Sequence, residues 1–170
     1  MFLKKIICFL ALVFPLKLFA VISASAYLTS SLTNCTGNGP LVYIPFNAVT
    51  FDDASSFNLS NGSYICSETG TLIINGIVEV SEIASSHTTL AVVVINQTTS
   101  EQRYVLCVNP YPILDGVPPH GYYQSSFATT MKCTEGDVFY LVVFVLGGTQ
   151  TVTINGGQME TRMSYNLFSD

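Results

Sequence analysis

The residues able to do chemistry are few and scattered. His87 sits in the polar stretch ASSHTT and His120 in the Pro-rich stretch PPHGYY. A hydrolytic triad would need one of them beside a serine and a carboxylate, yet neither lies near a G-x-S-x-G elbow. Glu68, Glu79 and Glu82 are the nearest approach to a pair of working carboxylates. Strand alternation turns them instead toward solvent or into turns. Asp52-Asp53 and Asp115 are oxygen donors of the kind calcium takes, but no spaced acidic loop surrounds them. Five cysteines are present: Cys8, Cys35, Cys66, Cys107 and Cys133. None has C-x-x-C spacing, so a zinc site is not expected. The pattern excludes a thiol or acid–base enzyme and calls for no cofactor and no metal. Binding is the better class, and the stretch Asn109–Tyr123, NPYPILDGVPPHGYY, is its most distinctive candidate. Its prolines limit the freedom that binding would freeze. Tyr111, Tyr122 and Tyr123, with Asp115 and His120, would be the contacts, because tyrosine offers a large face at low entropic cost.

These residues must be positioned by strands. The most telling stretch is Asp137–Leu146, DVFYLVVFVL, bounded by Gly136 and Gly147-Gly148. β-Branched and aromatic residues dominate it, which suits a pleated strand. Alternation puts Val138, Tyr140, Val142, Phe144 and Leu146 on one face and Phe139, Leu141, Val143 and Val145 on the other. Thr89–Ile95 is also apolar on both faces. A sandwich strand buries one face against the opposite sheet, so the second face needs a cover. Further strands are expected at Phe46–Phe51, across a hairpin in Phe57–Cys66 turning at Asn61-Gly62, and at Thr71–Ser81. Others follow at Arg103–Val108, Tyr122–Lys132, Thr149–Ile154 and Arg162–Phe168. About ten short strands with no amphipathic helix predict an all-β sandwich or jelly roll.

Composition supports one folded domain behind an export leader. The chain has 170 residues, 49% hydrophobic and only 10% charged, far from the disordered range. Residues 1–26 read as a signal peptide. Lys4 and Lys5 are its positive start, Ile6–Phe14 its apolar run, and Ala24-Ser25-Ala26 a small-x-small cut before Tyr27. A cut after Ala20 is the lesser option. The apolar run is shorter than the ~20 residues a membrane span needs, so no stable insertion is expected after cleavage. Residues 27–45 are a polar lead-in, and residues 46–170 are the domain. Past the leader, three cations stand against eleven acids, a net charge of −8. That balance disfavours nucleic acid and anionic lipid. Export implies oxidising surroundings, so Cys35, Cys66, Cys107 and Cys133 are disulfide candidates with three possible pairings. Cys66 with Cys133 is favoured, since each lies just before a Gly turn, at Gly70 and Gly136. Two structural disulfides within one chain are expected; the other option is that Cys35, in a polar segment, pairs between chains. Asn34, Asn58, Asn61 and Asn96 each open a glycosylation triplet.

The stretch Phe46–Gly76 resembles the opening of a C1q globular domain, the jelly roll shared with the tumour necrosis factor ligands. Phe46, Asp52, Phe57, Tyr64 and Gly70 fall at that family's aromatic, acidic and glycine positions. Leu72 and Ile74 replace its usual Tyr and Phe, and Gly76 departs from its last aromatic. LAVVVINQ (Leu90–Gln97), MKCTEGDVFYLVV (Met131–Val143) and MSYNLF (Met163–Phe168) are similar to its later strands, in the same order. The resemblance implies a ten-stranded jelly roll and tight trimers, with apolar and aromatic side chains buried around an axis. Phe139, Tyr140, Leu141 and Val143 are the axis candidates. It further implies a secreted homotrimer that recognises a glycan or an extracellular protein by multivalent contact. The alternative is a structural trimer of a cell envelope, spore surface or virion.

Overall fold

The computed structural model describes residues 21–110 and 121–170. These residues form twelve antiparallel strands. The first four are β1 (Val21–Tyr27), β2 (Leu32–Asn38), β3 (Val42–Tyr43) and β4 (Ala48–Asp52). Next come β5 (Phe57–Asn58), β6 (Ser63–Ile65), β7 (Gly70–Ile83) and β8 (Thr89–Asn96). The last four are β9 (Glu101–Val108), β10 (Gly121–Cys133), β11 (Val138–Ile154) and β12 (Arg162–Ser169).

They make the two layers of a jelly roll. The first layer runs β4-β1-β12-β7-β10, with both ends of the described chain side by side in β1 and β12. The second is built on β11, with β8 and then β9 on one side and β6, β3 and β2 along the other. The layers are stitched where Thr153 and Ile154 of β11 pair with Ser81 and Val80 of β7. Alternation decides what lies between them. Leu72, Ile74, Val78 and Val80 of β7 and Met163, Tyr165 and Leu167 of β12 point inward from the first layer. They meet Leu90, Val92 and Val94 of β8 and Phe139, Leu141, Val143 and Val145 of β11. At the hairpin end Phe57 sits against Phe46, Tyr64 and Tyr165, and Tyr64 stacks on Tyr165 with ring centroids 4.0 Å apart.

Gly76 explains one departure from the family pattern. Phe127 of β10 lies opposite it in register and sits where a side chain on Gly76 would go: a Cβ there would stand 2.6 Å from Phe127 Cζ. The missing aromatic is thus supplied from the neighbouring strand, a pairing known to rescue glycine in sheets.

Three stretches take places in the fold that the sequence reading did not give them. Val21–Ala26, assigned to the leader, forms most of β1, paired with β12 on one side and β4 on the other. Residues 27–45 are not a lead-in outside the core: Leu28, Cys35 and Ile44 are buried in it. Gly147 does not end the strand, because β11 continues to Ile154. The turn before β8 passes against that glycine, where a Cβ would stand 2.1 Å from the Ser86 carbonyl oxygen. Glycine is needed there for close approach, at a φ of +140°.

Candidate binding faces

Each layer has an outward face, and the two differ in chemistry. On the first layer, Ser25, Ser164, Asn75 and Ala128 follow one another across four strands, with Ser23, Asn166 and Ile73 in the next rows. The middle of this face carries no charge. Arg162, Glu79 and Lys132 lie toward its ends. Its polar groups already satisfy one another: Ser164 Oγ donates to Ser25 Oγ at 2.8 Å, and Ser23 Oγ donates to Asn166 Oδ1 at 3.0 Å. Val21 and Phe168, opposite each other in register, add an exposed apolar pair at one edge.

On the second layer the outward face is aromatic. Val93, Ile95 and Val142 form a separate apolar cluster there, with Tyr140 packed against it. Tyr43 meets Tyr140 edge-to-face, ring centroids 5.3 Å apart, and Asn61 Nδ2 donates to Tyr140 Oη at 3.1 Å. Tyr104 lies opposite Val93 and is 65% exposed. Cys107, also exposed, lies opposite Ala91 on the same face.

This arrangement corrects the axis candidates. Phe139, Leu141 and Val143 are fully buried between the layers of one chain, so they have no surface to offer another copy. Only Tyr140 reaches the outward face. The surplus apolar surface of β8 and β11 is largely hidden within the chain as well, since Val142 is 0% exposed and Val93 2%. Tyr43, from the N-terminal segment, supplies part of the cover. Among the ligand-loop candidates, Tyr111, Asp115 and His120 lie outside the described residues. Tyr122 is exposed on β10, whereas Tyr123 turns inward and packs against the core.

The reactive side chains have structural partners. Cys66 and Cys133 form a disulfide between the ends of β6 and β10. Cys35 and Cys107 are not joined to each other, so the expected second bridge within the chain is not formed. Cys35 is buried, and burial raises its thiol pKa, which keeps it protonated and unreactive. His87 is buried in the turn before β8, where its Nδ1 accepts the Ala84 N–H at 2.8 Å. Asp52 accepts the Ser56 and Phe57 N–H groups, each at 2.8 Å, and Asp53 accepts the Ser23 N–H. Glu79 accepts from Asn155 and Gln124, and Glu82 from Thr153, all near the stitch between layers. A hollow of about 390 Å³ opens at one end of the sandwich beside Lys132 and Asp170. Asp137 in its lining is occupied by Asn96 Nδ2 at 2.9 Å and the Thr134 N–H at 3.0 Å, joining two turns. The buried Asn96 is therefore not presented for glycosylation.

No family model and no curated protein matches the sequence. The fold nevertheless has clear counterparts. A crystal structure of murine APRIL at pH 5.0 superposes with a TM-score of 0.58 at 7% identity, covering 88% of this chain and all of that one. The Eiger TNF of S. frugiperda gives 0.55 at 11% identity, covering 88% and 94%. The globular domain of the zebrafish complement 1qA protein gives 0.52 at 12% identity, covering 87% and 96%. The chain adopts the jelly roll common to C1q globular domains and tumour necrosis factor ligands.

Proposed function

We propose that the chain is an exported recognition module that acts as a homotrimer and binds a glycan or an extracellular protein without catalysis. Three copies meet through the outward face of the first layer. Short side chains in its uncharged middle, with Phe51, Val21 and Phe168 exposed around them, make that face cheap to desolvate. The second layer then points its tyrosines outward on every copy. Three equivalent sites raise avidity for a repeated ligand without any new contact.

The observation that carries this reading is the placing of Tyr43, Tyr104 and Tyr140 on one outward face by three strands, partly open to solvent. Tyrosine rings stack on sugar rings or fill protein hollows, and their hydroxyls fix orientation. Sedimentation of the purified product tests the trimer, and a glycan array with the same sample tests the ligand class. A trimer with saturable binding that Tyr104→Ala abolishes supports the reading. A detergent-resistant trimer with no saturable ligand supports the structural alternative. A monomer without ligand sinks both.

A further inference from the structure

An export peptidase needs a small side chain immediately before the bond it cuts. Beyond the apolar run Ile6–Phe14, Ala20, Ser23 and the triplet Ala24-Ser25-Ala26 offer one, and all of these but Ala20 lie within β1. The fold distinguishes them. All seven residues of β1 pair with β12, and Ala24–Tyr27 also pair with β4. Ala24 and Ala26 are 1% and 0% exposed, and they lie opposite Tyr165 and Met163. Their small size fits them beside two large side chains of β12. A processing triplet and a packing seam therefore look identical in sequence. Removing residues 21–26 would strip β12 of its neighbour along its length. It would also leave β4 without most of its pairing, since β1 is the only strand on which β4 pairs among the described residues.

We infer that the leader is removed between Ala20 and Val21, so that the mature protein begins with β1. Water adds across that amide, leaving a carboxylate on Ala20 and an ammonium on Val21. Val21 is 47% exposed at the open end of the strand, so the new charge meets solvent. A charge created at Tyr27 would instead stand between β4 and β12. The inference rests on reading the first residues as an export leader. The test separates the two claims.

The full chain is expressed in an exporting cell, and the product is analysed by intact mass and N-terminal sequencing. The expected species is Val21–Asp170. A product starting at Tyr27, or at any other internal residue, overturns the inference while leaving the leader reading intact. An uncut chain retained in the membrane fraction overturns both. Ala20→Leu, which places a bulky residue before the bond, is expected to leave at least tenfold more precursor. Unchanged processing of that variant at Val21 would show that Ala20 does not define the cut.

Discussion

The outward faces of the two layers are made by the same kind of pleated strand, yet they present opposite chemistries. The first layer shows Ser25, Ser164, Asn75 and Ala128 in one row, and the second shows Tyr43, Tyr140 and Tyr104 around a buried aliphatic patch. Short side chains let backbone approach backbone, and their hydroxyls are already paired. Long aromatic ones stand clear of the sheet and offer polar tips. The difference teaches that apolarity alone does not identify an assembly surface. The oiliest strands, β8 and β11, direct most of their side chains into their own chain, while the plainer face has an uncharged middle of short side chains.

The largest effect is expected from a charge in the middle of the plain face. Ala128 is exposed and sits opposite Asn75, so Ala128→Glu should leave the isolated domain folded. In a trimer it would bring three carboxylates toward facing surfaces of an already acidic protein, and like charges across an interface cost several kcal/mol. Sedimentation should show the trimer replaced by monomer. The matched change on the other face, Gln102→Glu opposite Ile95, should leave the trimer intact. If the second change dissociates the assembly and the first does not, the two faces have exchanged roles.

Next is the aromatic face itself. Tyr104→Ala removes an exposed ring that little else in the chain contacts, so stability should hold within about 0.5 kcal/mol. Binding to an array-identified ligand should weaken by about tenfold or more, the scale of an aromatic contact worth 1.4 kcal/mol. Tyr122→Ala, on the first layer's outward side, should leave binding at a single site unchanged. Equal losses from both would erase the distinction between the faces.

Much of this was legible in the sequence, and the failures have physical causes. Alternation alone split Asp137–Leu146 correctly into two faces. The Asn61-Gly62 turn was readable because Gly62 takes a φ of +74°. The Cys66–Cys133 pairing followed from turns that end together. Period-two patterns do not say which face looks inward, so Phe139, Leu141 and Val143 were assigned to an axis they cannot reach. The aromatic face was not legible because Tyr43, Tyr104 and Tyr140 come to one face only through strand register. Ala24-Ser25-Ala26 misled because small residues serve a peptidase and a tight seam equally well.

A smaller effect tests how the first layer holds its shape. Gly76→Ala would place a Cβ 2.5 Å from the Arg162 carbonyl oxygen and 2.6 Å from Phe127 Cζ. The ring can turn, but the backbone oxygen belongs to β12 and must shift. Overpacking of this kind costs about 1–3 kcal/mol, readable as a lowered denaturant midpoint. Pairing Gly76→Ala with Phe127→Leu should recover part of the loss. A wild-type midpoint for Gly76→Ala alone would mean that the plain face tolerates bulk and owes nothing to tight packing beneath it.

The smallest effect at neutral pH concerns the tyrosines that lie between the faces. Burial raises the Tyr64 hydroxyl to about 12 and raises Tyr165 well above its ordinary value of 10.0. In the unfolded chain these groups lose their protons near pH 10, while the folded protein keeps them longer. The folded state then binds more protons than the unfolded one, so stability falls as pH rises. The stability is fully present below pH 10 and drains as pH climbs toward 12. The Ser56 hydroxyl beside Tyr64 offsets the rise in its pKa only in part, so removing the Tyr64 hydroxyl gives up at most one weak neutral contact. Tyr64→Phe should therefore change the neutral-pH midpoint by less than about 1 kcal/mol while flattening the alkaline limb of the stability curve. The double change with Tyr165→Phe should flatten it further, because burial, and then the stacked Tyr64, hold the Tyr165 hydroxyl well above its ordinary value. An alkaline limb that stays as steep in the double variant would show that Tyr64 and Tyr165 do not set it.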